Sequence, residues 1–174
     1  PTIDAAVNMR DMSKTKPERI EAAKKLVWNA DETNVPQSEA IAALKSALYL
    51  SIVVTYAQGL AQLHTASKEY NYGLNLETVA KIWRGGCIIR AEFLEDIYQA
   101  YKKQPDLQHL FADERIQDKI KTSLTGTRNV VSSAINAGLA IPCFAAALTY
   151  FDTLKTGRMP SNLTQAQRDF FGAH

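Results

Sequence analysis

The sequence predicts an all-α fold, a multi-helix bundle with two long helices and a short C-terminal tail. Three observations carry this. Apolar residues recur every three or four positions through almost the whole chain, which is the spacing of one helical face. Runs that alternate apolar with polar residues around Asn-Gly or Asp-Gly turns are not found, so strand signals are nearly absent. Two periodic stretches, one starting near Ser38 and one near Asp113, run well past the length of an ordinary helix.

The elements follow in order. Ile3, Val7 and Met12 mark one side of a first helix over about Ile3–Met12. "SKTK" breaks that pattern, and Pro17 suits the first turn of a second helix that runs to about Trp28, because its missing N–H costs nothing there. "NADETNVPQ" reads as a polar loop. Ser38 is the expected cap of a long helix to about Tyr70, in which Ile41, Leu44, Leu48, Ile52, Tyr56, Leu60 and Leu63 recur at helical spacing. Leu50, Val53 and Val54 add apolar residues on other sides, which predicts a helix running through the middle of the bundle.

A short helix over about Leu76–Trp83 meets Gly85 and Gly86, and Ile89, Phe93, Ile97 and Tyr101 then mark another at four-residue spacing. It ends at "KKQPD", since the residue before Pro105 is biased out of helix. The second long helix, Asp113 to Ala137, carries Ile116, Ile120, Leu124, Val131 and Ile135, with Gly138 as its left-handed stop. Pro142 starts "PCFAAALTYFDTLK", closed by Gly157, and "SNLTQAQRDFFGAH" allows about two helical turns before Gly172 releases the chain. Residues 1–160 are thus expected to form the helical domain and 161–174 its tail.

At 174 residues the chain is well above the roughly 70–80 below which one core struggles to be stable. It is 46% hydrophobic and 22% charged with a mean hydropathy of −0.21, the composition of a globular protein. A net charge of +2, with both signs interspersed, points to neither a nucleic acid nor a membrane surface as partner. The apolar stretch "ALYLSIVVTYA" is about half the ~20 residues that cross a bilayer, and it reads as a buried helix. Two cysteines without framework or zinc spacing point to a reducing cytoplasm.

The individual motifs are modest. Gly85 and Gly86 follow no strand, so they do not form a dinucleotide cradle. Cys87 and Cys143 read as packing residues rather than nucleophiles, although the first turn of a helix can lower a thiol pKa. His64 and His109 lack a second ligand at metal spacing, and Glu92, Glu95 and Asp96 fall on the polar side of their helix, where solvation is expected. No triad, metal centre or carboxylate pair assembles. The residues alone describe a helical module whose most suggestive feature is a tail with Arg168, Phe170, Phe171 and His174 in seven positions.

The wording of the chain says more. "PTIDAAVNMRDMS", "VVTYAQGLAQL", "WRGGCIIRAEFL", "AGLAIPCFAAALTYFD" and "MPSNLTQAQRDFFGAH", in that order, closely resemble the C-terminal half of the 6-phosphogluconate dehydrogenase family, over almost all 174 residues. The resemblance implies a cytoplasmic, homodimeric, NADP-dependent decarboxylase of the pentose phosphate pathway, which turns 6-phosphogluconate into ribulose 5-phosphate and CO2. It implies that NADP is bound mainly by an N-terminal domain lying outside this sequence, together with the family's lysine base and glutamate acid. This piece alone is therefore expected to be inactive, with no catalytic residue of its own.

The same resemblance implies three substrate-binding residues. Arg10, in "AAVNMRDMS", corresponds to an arginine that binds the substrate phosphate within its own subunit. Arg168, in "QAQRDFF", and His174, in "FGAH", correspond to residues that the tail lends to the neighbouring subunit. A guanidinium fork suits bidentate, charge-assisted bonds to phosphate. Two departures stand out: Phe170 replaces the family's usual tyrosine, and "SLTGTRNVV" lacks a tryptophan common in that helix, so local packing there is expected to differ. The competing reading is a non-catalytic helical interaction module whose tail docks on another protein. A β-hydroxyacid dehydrogenase with a different substrate is disfavoured by the phosphate-reading tail "QAQRDFFGAH".

Overall fold

The computed structural model describes residues 1–27, 35–86 and 91–172. These form eight α-helices and one 3-10 turn, with no strand among them, as the periodicity predicts. The helices are α1 (Thr2–Ser13), α2 (Lys16–Lys25), α3 (Gln37–Glu69), α4 (Leu76–Arg84), α5 (Leu94–Lys103), α6 (Glu114–Asn136), α7 (Pro142–Leu154) and α8 (Asn162–Phe170), with the 3-10 turn at Leu110–Ala112. Trp28, Cys87, Ile89 and His174 lie outside the described residues.

The central helix α3 has 33 residues, about 50 Å at 1.5 Å each. It packs against α6 and α7 through Leu50, Val53, Val54, Ala57 and Leu60, all fully buried, so one side of the "ALYLSIVVTYA" stretch is core while Leu48, Ile52 and Thr55 on its other side are exposed. The core continues through Phe93, Leu94, Ile97 and Tyr101 of the α5 region, Leu107, Leu110, and Ile116 and Ile120 of α6. Close approach of α3 and α6 depends on a small residue. A Cβ on Gly126 would sit 2.8 Å from Ser46 Cβ and 3.4 Å from Ala43 Cα. Next to it in "SLTGTRNVV", Thr127 is buried with its hydroxyl donating to Ser123 O at 2.8 Å.

Helix ends follow local chemistry. Asn75 and Asp113 cap α4 and α6 by accepting from Thr78 N–H at 2.9 Å and Ile116 N–H at 3.1 Å. Gly138, at φ 66°, closes α6 with Leu139 N–H donating to Ala134 O at 2.8 Å. Pro142 opens α7 in its first turn.

Four expectations need correction. Ser38 is not the cap of α3, which starts at Gln37 after an extended Pro36 and has no side-chain cap. α2 ends at Lys25, before Leu26. The regular stripe Ile41–Leu44–Leu48–Ile52 is exposed, because α6 and α7 approach α3 from the side of Leu50 and Val53, and Ile3, Val7 and Met12 are exposed on α1, whose partly buried apolar residues are Ala5 and Met9. Asp96 is not solvated. Its side chain is only 14% exposed, and it pairs with Lys119 and, at 3.7 Å, with Arg115 Nε, joining α5 to α6.

Candidate functional site

Arg10 stands in the last turn of α1, where a cation complements the negative end of the helix dipole. α1 lies along α7, and its first turn is tied to α3: Thr2 N–H donates to Gln58 Oε1 at 3.3 Å while Gln58 Nε2 donates to Thr2 Oγ1. Thr2 is the one residue of α1 that is buried. Arg10 is exposed, and its guanidinium makes no hydrogen bond or ion pair with any described residue.

Between α1, α3 and α7 runs a mostly apolar groove of about 680 Å³. Ile3 and Ala6 form one wall, Leu48, Ile52 and Tyr56 another, and Phe144 a third. Cys143, in the first turn of α7, is half-buried in this lining. Arg10 follows Ile3 by seven residues, so both share one face of α1 and the arginine continues the line of the groove wall.

Arg168 occupies the last turn of α8, which buries none of its residues. Phe170 and Phe171, 85% and 75% exposed, meet each other edge to face at 5.7 Å between ring centroids, and among the described residues neither makes another ring contact. Gln165 Nε2 donates to Asp169 Oδ1 at 2.9 Å and leaves Arg168 without a described partner. Gly172, at φ 78°, turns the chain just beyond. No hydrogen bond or ion pair among the described residues joins Arg168 to Arg10.

Chemically, Arg10 and Arg168 each present an unpaired guanidinium at a helix end, suited to an anion; the guanidinium groups of Arg19 and Arg158 are likewise without a described partner. Among the described residues no group of three or more His, Cys, Asp and Glu side chains is placed to hold a metal. His109 is engaged structurally: its Nε2 lies 2.9 Å from Tyr150 OH, and its Nδ1 accepts from Phe111 N–H at 3.2 Å. Burial pushes its pKa down. Gln58 was not singled out by spacing. Its signal was a long amide in the apolar run "VVTYAQGLAQL", where a polar side chain needs a partner.

The chain matches the family described as "6-phosphogluconate dehydrogenase, C-terminal domain" over residues 1–174. It is 44% identical over 174 residues to the decarboxylating 6-phosphogluconate dehydrogenase of Lactococcus lactis subsp. lactis, covering all of this chain and 37% of that protein. It is 46% identical over 175 residues to the corresponding Synechococcus elongatus protein, with the same coverage. Against the solved 6-phosphogluconate dehydrogenase of Plasmodium falciparum, described in apo form and with its cofactor NADP+ or its substrate 6-phosphogluconate, the TM-score is 0.91 at 40% identity. That match covers all of this chain and 38% of the solved one. The chain thus spans somewhat over a third of the length of these relatives.

Proposed function

This chain belongs to the 6-phosphogluconate dehydrogenase family, matching its C-terminal domain, and we propose that it serves that enzyme by holding the phosphate of 6-phosphogluconate and by joining two subunits. The complete enzyme carries out the NADP-dependent oxidative decarboxylation of 6-phosphogluconate to ribulose 5-phosphate and CO2, in the cytoplasm, as a step of the pentose phosphate pathway. NADP is held mainly by the portion of the relatives outside this sequence.

The observation that carries the reading is the collinear match along all 174 residues, which favours it over a non-catalytic interaction module. Supporting it, Arg10 and Arg168 are exposed and without a described partner, each at a helix end. The phosphate of the substrate sits at the opposite end of a six-carbon chain from the carboxylate that departs. Clamping it fixes the register of the reacting carbons, which is catalysis by positioning. In this arrangement Arg10 grips the phosphate from its own subunit. Arg168 and His174 arrive on the tail of the other, with Phe170 and Phe171 buried by that partner. The tail, residues 161–174, then works as an arm apart from the domain of residues 1–160.

Each charged hydrogen bond contributes about 1.5–3 kcal/mol. In the complete polypeptide Arg10→Ala or Arg168→Ala is therefore expected to raise KM for 6-phosphogluconate roughly ten- to a hundredfold with KM for NADP unchanged. Mixing the two variants tests the shared site. In a mixed dimer one site regains both arginines, so roughly a quarter of all sites recover. No recovery on mixing, with mixed dimers present, means that both arginines act within one subunit.

A further inference from the structure

We infer that Gln58 is a positioning residue for Arg10, acting through the first turn of α1; this rests on the reading of Arg10 as a phosphate ligand. The grounds are in how α1 is held. The helix lies along α7 with Ala5 and Met9 partly buried, but its one buried residue is Thr2, at 7% exposure, and Ile3, Val7 and Met12 are exposed. Pro1 supplies no side-chain cap, so the first N–H groups of α1 need outside partners. Gln58 provides one, and it does so bidentately. Its carbonyl oxygen accepts from Thr2 N–H at 3.3 Å and its amide nitrogen donates to the Thr2 hydroxyl.

Two bonds from a planar amide to the backbone and side chain of one residue fix both the height and the rotation of the helix start. At the other end of α1 the chain passes through Lys14 and Thr15, whose side chains bond back to Asp11 and Met12, into α2, which buries nothing and whose side-chain hydrogen bond, Lys24 to Glu21, is local. The polar anchor at Thr2 thus fixes the start of a helix that otherwise rests on α7, and orientation set there is carried along the rigid helix to Arg10, about 12 Å away at 1.5 Å per residue. A small rotation at the anchor displaces the guanidinium, and displacement of about 1 Å at a substrate clamp can cost up to a hundredfold. Gln58 itself touches no substrate in this scheme.

The test uses the complete enzyme. Gln58→Leu keeps the bulk and removes both bonds; it is expected to raise KM for 6-phosphogluconate about fivefold to tenfold, with kcat within twofold and KM for NADP unchanged. Gln58→Glu retains two acceptor oxygens, for Thr2 N–H and for the Thr2 hydroxyl as donor, and is expected to restore KM to within twofold. In an Arg10→Ala background Gln58→Leu should have no further effect on KM. Hydrogen exchange on the complete enzyme carrying Gln58→Leu should quicken at α1 amides while those of Leu50–Leu60 stay protected.

An unchanged KM in Gln58→Leu, when Arg10→Ala raises it, overturns the positioning role. So does a rise in KM of equal size with and without Arg10, or loss of protection throughout α3. If Arg10→Ala itself leaves KM unaltered, it is the phosphate reading that fails, and the Gln58 proposal falls with it.

Discussion

Arg128 of α6 and Asp152 of α7 face each other through two parallel hydrogen bonds, Nη1 to Oδ2 at 3.0 Å and Nη2 to Oδ1 at 2.6 Å. Lys155 adds a contact to the same carboxylate at 3.2 Å. The Arg128 hydrogen bond, helped by Lys155 and opposed by partial burial, holds the Asp152 carboxyl below its usual pKa. Since the folded value lies below the unfolded one, about 3.9, the stabilisation is complete above that value and is lost as pH falls through the folded pKa. Both side chains are partly exposed, so solvent screens the pair.

Arg128→Gln is accordingly expected to cost only about 0.5–1 kcal/mol near neutral pH. Urea denaturation in low salt and in 1 M salt checks this. The difference between wild type and variant should shrink at high salt, where the Debye length is about 3 Å, and as pH falls through the lowered folded pKa of Asp152.

His109 links the 3-10 turn to α7. Its Nδ1 accepts from Phe111 N–H, so that nitrogen carries no proton and Nε2 donates to Tyr150 OH. Burial places its folded pKa below the unfolded value of about 6.5. The stabilisation is full above pH 6.5 and declines as pH falls below it towards the folded pKa, because protonation charges a buried ring and breaks the bond to Phe111. Thermal melts from pH 7.5 to 5 are expected to show Tm falling in the wild type. His109→Asn should flatten that decline, and an unchanged slope would refute the assignment.

Tyr101 is 1% exposed, and its hydroxyl has no hydrogen-bond partner among the described residues. Burial raises its pKa to about 12. An unpaired buried polar group costs about 1–3 kcal/mol, so Tyr101→Phe is expected to be neutral or to stabilise by about 1 kcal/mol. Tyr101→Ala should cost about 3–5 kcal/mol through the cavity it leaves. Chemical denaturation of both variants separates the ring from the hydroxyl.

Gly126→Ala sets helix propensity against crowding. The substitution gains about 1 kcal/mol in a helix interior, yet the new Cβ meets Ser46 Cβ at 2.8 Å. Overpacking of that kind costs about 1–3 kcal/mol. Net destabilisation is expected in urea titrations, and Ser46→Gly should lower the cost of Gly126→Ala in a double-mutant cycle.

Much of the fold was legible because its signals are local along the chain. Asp113 and Gly138 mark the ends of α6, Pro142 opens α7, and α4 and α8 fall close to where their punctuation puts them. The long run from Gln37 to Glu69 is one helix because nothing in it breaks the backbone ladder. Periodicity did not say which side of that helix is inside. Ile41, Leu44, Leu48 and Ile52 form the more regular stripe, yet the buried side runs through Leu50, Val53 and Val54.

The candidate site divides in the same way. Arg10 was found from the wording of its segment, since it does not stand out by spacing or charge, whereas Arg168 also lies in a tail conspicuous for its composition. Their exposure and lack of a described partner came only from the structure. Asp96 looked like a solvated carboxylate until α6 brought Lys119 and Arg115 to it.

By itself, then, the amino-acid sequence determined the helical class, most helix ends and the family wording around Arg10 and Arg168, since these depend on neighbours a few residues apart. Only the tertiary structure decided that Thr2 meets Gln58, 56 positions away, and which face of α3 is core. Burial and long-range pairing are set by what other elements bring to a side chain, and no property of the local sequence encodes that.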